Sequence, residues 1–217
     1  MITEIANDSW QTSADKNTQE KLLKDIEVGN VIFLPKLKFI LSQEEQKFLR
    51  PECADKKSKN ISFDPETENL KGSNCNDKDL AELKTMIMRF ASSARTLVDS
   101  LFPYYKNALQ IGRTSYRPLD TQDRKVSSVR KDDSKLHIDS FASQPIHGLR
   151  LLRVFSNINS NNPRIWKLGE PFEDVADKFL PLISHKQRIS PYLLHKFGIT
   201  KSVRSLYQEF CTWEKIC

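Results

Sequence analysis

Residues 77–102 carry the longest periodic stripe in the chain. Leu80, Leu83, Ile87, Phe90, Ala94, Leu97 and Leu101 recur at alternating steps of three and four, the spacing that puts side chains on one face of an α-helix. Asn76 or Asp77 offers an N-cap oxygen, and Pro103 ends the run. Three heptads are too few for a coiled coil, so the stripe predicts a helix packed on its own domain. Upstream, the apolar run from Asn30 to Pro35 predicts a short strand. Phe39, Ile40 and Leu41 form another apolar patch. Ser42-Gln43-Glu44-Glu45 then reads as a capping box that opens a short helix to about Arg50, stopped by Pro51. Residues 53–76 are rich in Lys, Asn, Ser and Asp and predict a loop; residues 1–25, polar and aperiodic, predict a flexible or weakly helical leader.

Beyond Pro103 the pattern shortens. Residues 104–117 move toward strand character, and 121–134 are charged and turn-like. Alternation then predicts strands at 136–141 and 148–155, paired across a turn at 143–148. In the second, Leu149, Leu151, Arg153 and Phe155 share one face, and Arg150, Leu152 and Val154 the other. A third strand is expected at 164–168. Pro171 in a first turn, with acids beside it, opens a helix running to Leu180. Residues 200–215 also read as helical, with Val203, Leu206, Tyr207, Phe210 and Trp213 on one side.

Composition narrows the class. The 217 residues suffice for one core, giving an expected organisation of a polar leader (1–25) and a single domain (26–217). No apolar run is long enough to span a bilayer. The N-terminus has neither the basic nor the apolar region of a secretory signal. Cys53, Cys75, Cys211 and Cys217 are scattered without a C-x-x-C pair, which points to a reducing cytoplasm rather than a disulfide framework. A net charge of +6 favours anionic partners. Nucleic acid is permitted but not expected, because no zinc-finger spacing or aromatic-interleaved basic motif is present.

The candidate chemistry sits at His137-Ile138-Asp139. In a strand, His137 and Asp139 share a face while Leu136 and Ile138 point behind them. An imidazole beside a carboxylate is two-thirds of the 2-His-1-carboxylate site that holds non-haem Fe(II). The tripeptide spacing is weak by itself, since about 0.3 occurrences are expected by chance in this composition.

The surroundings are more specific. GRTSYRP (112–118), RKDDSKLHIDSF (130–141), LRVFSNIN (152–159) and RIWKLGEPFEDVADKFLP (164–181), with GNVIFLPKLKFILSQEEQKFL (29–49) and KNISFDP (59–65), occur in this order. Together they resemble the Kdo hydroxylase family, iron(II)/2-oxoglutarate dioxygenases acting on the 3-deoxy-D-manno-oct-2-ulosonic acid (Kdo) sugar of bacterial lipopolysaccharide. The resemblance covers most of residues 26–207. It implies an α+β fold with a double-stranded β-helix (jelly-roll) core, and His137 and Asp139 as metal ligands. It also implies Fe(II) and 2-oxoglutarate as cofactor and co-substrate, ascorbate as an accompanying reductant, and hydroxylation at C3 of Kdo on a lipid A precursor. Work at the cytoplasmic face of the inner membrane, through peripheral contact, follows from that substrate.

An anionic sugar acid needs cationic donors. Arg117, Arg130 and Lys131 are the candidate substrate-binding residues, and Arg153 and Asn157 the candidates for a co-substrate carboxylate. The family pattern continues into further barrel strands carrying the distal His ligand and the 2-oxoglutarate anchor. The expectation here is therefore a C-terminally truncated copy whose jelly roll is incomplete, with His147, His185 and His195 in poor contexts to replace that ligand. Two other readings stay open: a catalytically inactive lipid-sugar-binding or scaffold protein, and a basic nucleic-acid binder motivated by charge alone.

Overall fold

In the computed structural model, residues 1–55, 58, 60–118, 149–159 and 161–179 and positions 181, 192, 196 and 197 are described. The chain divides into two compact units, one of Met1–Arg124 with Arg153–Arg164, the other of Lys125–Leu152 with Ile165–Cys217.

The first unit begins with strand β1 (Ile2–Glu4), helix α1 (Lys16–Glu27) and strand β2 (Val31–Phe33). β1 and β2 pair in parallel, Ile2 opposite Val31 and Glu4 opposite Phe33. Asp15 caps α1, accepting from the Thr18 amide at 3.0 Å and the Thr18 hydroxyl at 2.6 Å. Gly29, at φ 82°, closes the other end with its amide on the Ile26 carbonyl. A side chain would strain that left-handed position. The leader expected over residues 1–25 as flexible or weakly helical thus holds β1 and most of α1. Its polar composition conceals the helical period, because α1 fully buries only Leu22 and half-buries residues such as Leu23 and Ile26.

β2 follows the expected apolar run. The capping box also forms: the Glu45 amide donates to Ser42 Oγ at 3.2 Å, and the Ser42 amide to Glu45 Oε2 at 2.8 Å. The helix it opens is a short 3₁₀ segment, Glu45–Leu49, followed by a second at Pro51–Cys53. Where a loop was expected over residues 53–76, the structure has strands β3 (Ile61–Asp64) and β4 (Asn69–Lys71). Two buried residues, Ile61 and Phe63, suffice to anchor β3, and the polar composition around them masks its period-2 pattern.

Helix α2 (Asp77–Leu101) matches its stripe closely. Asn76 Oδ1 accepts from the Asp79 amide at 2.9 Å, and Leu83, Met86, Ile87, Leu97, Val98 and Leu101 are buried. Leu83, Met86 and Ile87 join Phe39, Leu41, Phe48, Ile61, Phe63 and Tyr116 in one core cluster. At its edge Trp10, Phe39 and Phe90 meet edge-on with ring centres 5.2–6.2 Å apart. β5 (Thr114–Tyr116) joins β3 and β4 in an antiparallel sheet of order β4-β3-β5.

The strand expected at 148–155 had 136–141 as its partner, and that partner lies outside the described residues. Within 149–155 Leu152 and Val154 are half-buried while Leu151, Arg153 and Phe155 are exposed. The alternation of half-buried and exposed positions continues to Asn159, and Ile158 packs against the core cluster. Residues 164–168, expected as a strand, are exposed and belong to none of the strands among the described residues. In the second unit, α3 (Phe172–Phe179) starts just after Pro171, whose carbonyl accepts from the Val175 amide. The expected strand at 136–141, the turn-like 121–134 and the helix at 200–215 lie outside the described residues. Among the described residues no helix is long and apolar enough to cross a membrane.

Candidate functional site

The β4-β3-β5 sheet has two chemically opposite faces. Ile61, Phe63 and Tyr116 point into the core, and the Tyr116 hydroxyl donates to the buried Phe48 carbonyl at 2.6 Å. Because side chains alternate along a strand, Arg113, Ser115 and Arg117 stand on the other face. The register aligns Ser115 with Ser62, and Ser62 with Lys71. Side chains directly opposite in an antiparallel pair lie on the same face, so Lys71, Ser62 and Ser115 form a row across the sheet.

Two side-chain contacts flank that row and agree with the register. Arg117 Nε donates to Asn60 Oδ1 at 2.8 Å. Arg113 donates from Nε and Nη2 to Asp64 Oδ2 at 3.1 and 3.0 Å. Partial burial raises the Asp64 pKa, but the Glu66 and Thr67 amides and Arg113 together hold it below its usual value, so it stays ionised. The backbones of Asn60 and Gly72 pass closely: a Cβ at Gly72, φ 83°, would sit 2.4 Å from the Asn60 carbonyl oxygen. Glycine is therefore required where β4 leaves β3. Beside Arg113, a cavity of about 170 Å³ is lined by Asp64, Pro65, Glu66, Ile111, Gly112 and Arg113.

Of the residues singled out from sequence, Arg117 is half-buried at the end of β5 and held by Asn60. Arg153 is exposed. Asn157 is exposed in an asparagine turn, its Nδ2 donating to the Asn162 carbonyl at 2.9 Å and its Oδ1 accepting from the Asn159 amide at 3.2 Å. Arg130, Lys131, His137 and Asp139 lie outside the described residues. Among the described residues, no group of three or more His, Cys, Asp or Glu could hold a metal. Sequence reading passed over Asn60, Ser62, Lys71 and Ser115. The signal for Asn60 and Ser62 was the alternation in Asn60–Asp64, lost when residues 53–76 were read as loop.

Comparison with known proteins bears on the whole chain. The family model described as 3-deoxy-D-manno-oct-2-ulosonic acid (Kdo) hydroxylase matches residues 9–213. Comparison with curated proteins gave no match. Among solved structures, the apo form of the Kdo hydroxylase KdoO, a non-heme Fe(II) alphaketoglutarate dependent dioxygenase, is similar at 42% identity and TM-score 0.85. Its cobalt(II) complex matches equally, at 42% and 0.85, and its complex with alphaketoglutarate and Fe(III) at 41% and 0.84. Each match covers 96% of this chain and 70% of the solved chain. The fold is thus that of a non-heme iron dioxygenase, and the ordered motifs from GNVIFLPKLKF to EPFEDVADKFLP lie within the matched span. The chain belongs to the Kdo hydroxylase family.

Proposed function

We propose that this chain is an iron(II)- and 2-oxoglutarate-dependent hydroxylase of the Kdo sugar on a lipid A precursor. The observation that carries the reading is the match at 41% identity to the Kdo hydroxylase solved with alphaketoglutarate and Fe(III). The donor chemistry of the chain fits the metal: His137 and Asp139 supply one imidazole nitrogen and one carboxylate, the ligand types that non-haem Fe(II) takes. These two residues would hold it, within the jelly-roll core that the family resemblance implies. When bound, iron with 2-oxoglutarate and O₂ supplies the oxidation that turns a C–H bond into C–OH, with succinate and CO₂ as co-products.

The chain's own part is recognition and orientation. Arg117, Arg130 and Lys131 would draw the sugar carboxylate, Arg through its planar pair of donors and Lys as a point charge. Arg117 has the best-supported part in this scheme, because the Asn60 bond at 2.8 Å fixes its guanidinium before any ligand arrives. Arg153 and Asn157 would face a 2-oxoglutarate carboxylate. Ascorbate would serve as a reductant. The lipid tail of such a substrate places the work peripherally on the cytoplasmic face of the inner membrane.

The test is expression in a Gram-negative host lacking this activity, followed by mass spectrometry of its Kdo-lipid A. A gain of one oxygen, lost in His137→Ala and in Asp139→Ala, is expected. Unmodified lipid from a folded chain supplied with Fe(II) and 2-oxoglutarate would overturn the hydroxylase reading and leave lipid-sugar binding without chemistry.

A further inference from the structure

The first unit brings together two thiols that neither the sheet nor the proposed iron chemistry uses. Cys53 ends the Pro51–Cys53 turn of 3₁₀ helix, and Cys75 immediately precedes Asn76, the cap of α2. A short antiparallel contact closes the 22 positions between them. Ala54 pairs with Ser73, the Asn74 amide donates to the Cys53 carbonyl at 2.9 Å, and the Asp55 amide donates to the Gly72 carbonyl at 2.8 Å. The Ser73 hydroxyl donates to the Cys53 carbonyl at 3.4 Å and accepts from the Cys75 amide at 3.2 Å, so one serine ties the two cysteine backbones together. Both side chains turn to the same core cluster, Cys53 within it and Cys75 packed against it. Neither is in a disulfide.

We propose that Cys53 and Cys75 are an oxidisable pair, which hydrogen peroxide converts to a disulfide that staples the start of α2 to the Pro51–Cys53 turn. The pair stands apart from the proposed hydroxylation and needs no metal. Spacing is the first support. Opposed Cα atoms in an antiparallel pair lie about 4.5–5.5 Å apart, and a disulfide spans about 4.4–6.8 Å. Cys75 stands one residue past Asn74, whose amide is bonded to Cys53, and its side chain returns to the core that holds Cys53. Thiol contact is the second support. Cys75 acts on the Cys53 thiol through its charge and through a hydrogen bond, and both cysteines act on the Tyr116 phenol.

The third support is a division of roles. Cys75 is half-buried and reaches solvent, whereas Cys53 is 7% exposed. Burial is the main reason the Cys53 thiol is pushed up to about 11, with Cys75 adding to it. Cys75 therefore meets the peroxide, and Cys53 waits beside it as the resolving thiol. The Cys75 thiolate attacks one peroxide oxygen and breaks the O–O bond, giving Cys75 sulfenic acid and a hydroxide that takes a proton to leave as water. The Cys53 sulfur then attacks the sulfenic sulfur. The S–S bond forms as the S–O bond breaks, and the Cys53 proton leaves with the hydroxyl as a second water. The two thiols give up two electrons, and one peroxide becomes two waters.

Peroxide treatment of the reduced full-length chain tests this, with a chelator present to keep free iron from generating radicals. Alkylation in denaturant followed by peptide mass mapping then reads each cysteine. The expected product is a linked pair of peptides carrying Cys53 and Cys75, about 2 Da lighter than the two reduced peptides together. Dithiothreitol should return both cysteines to full alkylation. Cys53→Ala should leave Cys75 as a sulfenic acid that dimedone labels, and Cys75→Ala should slow Cys53 oxidation by about tenfold or more. The staple should raise the melting temperature by about 5 °C or more in the unsubstituted chain and in neither variant. Circular dichroism checks folding, and the Cys211→Ser/Cys217→Ser chain, with both proposed thiols intact, should form the same link. The proposal is overturned if Cys53 and Cys75 stay fully alkylated after peroxide, or if either links to Cys211 or Cys217 instead. It is equally overturned if they gain oxygen that dithiothreitol does not remove, or if their link forms only in urea.

Discussion

At the scale of a residue, Tyr116 joins the core to the polar face. Its ring is 7% exposed and its hydroxyl meets the Phe48 carbonyl, while its neighbours Ser115 and Arg117 point the other way. Burial is the main reason its phenol pKa is pushed well above the ordinary value, with Cys53 and Cys75 adding to the effect. The group therefore remains a neutral donor throughout the physiological range. Tyr116→Phe keeps the ring but strands the buried Phe48 carbonyl, a loss of about 1–3 kcal/mol. Urea unfolding followed by circular dichroism should register that loss, and an unchanged midpoint would mean the bond contributes nothing. An aromatic at this position was readable from SYRP, whereas its acceptor, 68 positions away, was not.

At the scale of an element, α2 is tied to the preceding 3₁₀ helix by one lysine. Lys47 Nζ lies 2.5 Å from both Asp79 Oδ1 and Glu82 Oε2, in the first turns of α2. The bond from Lys47 is the leading reason that the Asp79 pKa lies below 3.8. A depressed carboxylate stabilises the folded state above its unfolded pKa, and that contribution disappears as pH falls through the folded value. Lys47→Met should lower the melting temperature at pH 7 and flatten its fall on acidification below about pH 4. Parallel acid limbs for the two proteins would show that the lysine is only a spectator. The stripe of α2 was legible because its period repeats over seven turns. The lysine's partners were not, since charge pairing across 32 and 35 positions has no sequence period.

At the scale of the whole molecule, the proposed metal and co-substrate bind the folded chain and should stabilise it by mass action. Cobalt(II) with 2-oxoglutarate, added without oxygen chemistry, is expected to raise the melting temperature. His137→Ala and Asp139→Ala should each abolish the rise, with the melting temperature of the metal-free chain close to that of the unsubstituted protein. A rise that survives both substitutions would place the metal elsewhere. The ordered motifs spread over residues 29–181 made the family legible at this scale, where the isolated His137-Ile138-Asp139 spacing could not.

The amino-acid sequence by itself determined the elements whose signals are local. These are α2 with its Asn76 cap and Pro103 stop, the Ser42–Glu45 capping box, β2, and the helix that follows Pro171. In each, the decisive contacts lie within a few residues, so spacing alone encodes them. Family membership was equally legible, because it depends on motif order rather than contact. Tertiary structure decided what polar composition concealed. It folded residues 1–25 into β1 and most of α1 and turned a presumed loop into the β3–β4 hairpin. It also chose the partners of β3, setting Ser62 between Lys71 and Ser115. Those three residues are separated along the chain by 9 and 53 positions, and only the burial of Ile61, Phe63 and Tyr116 behind them fixes the register that brings them together.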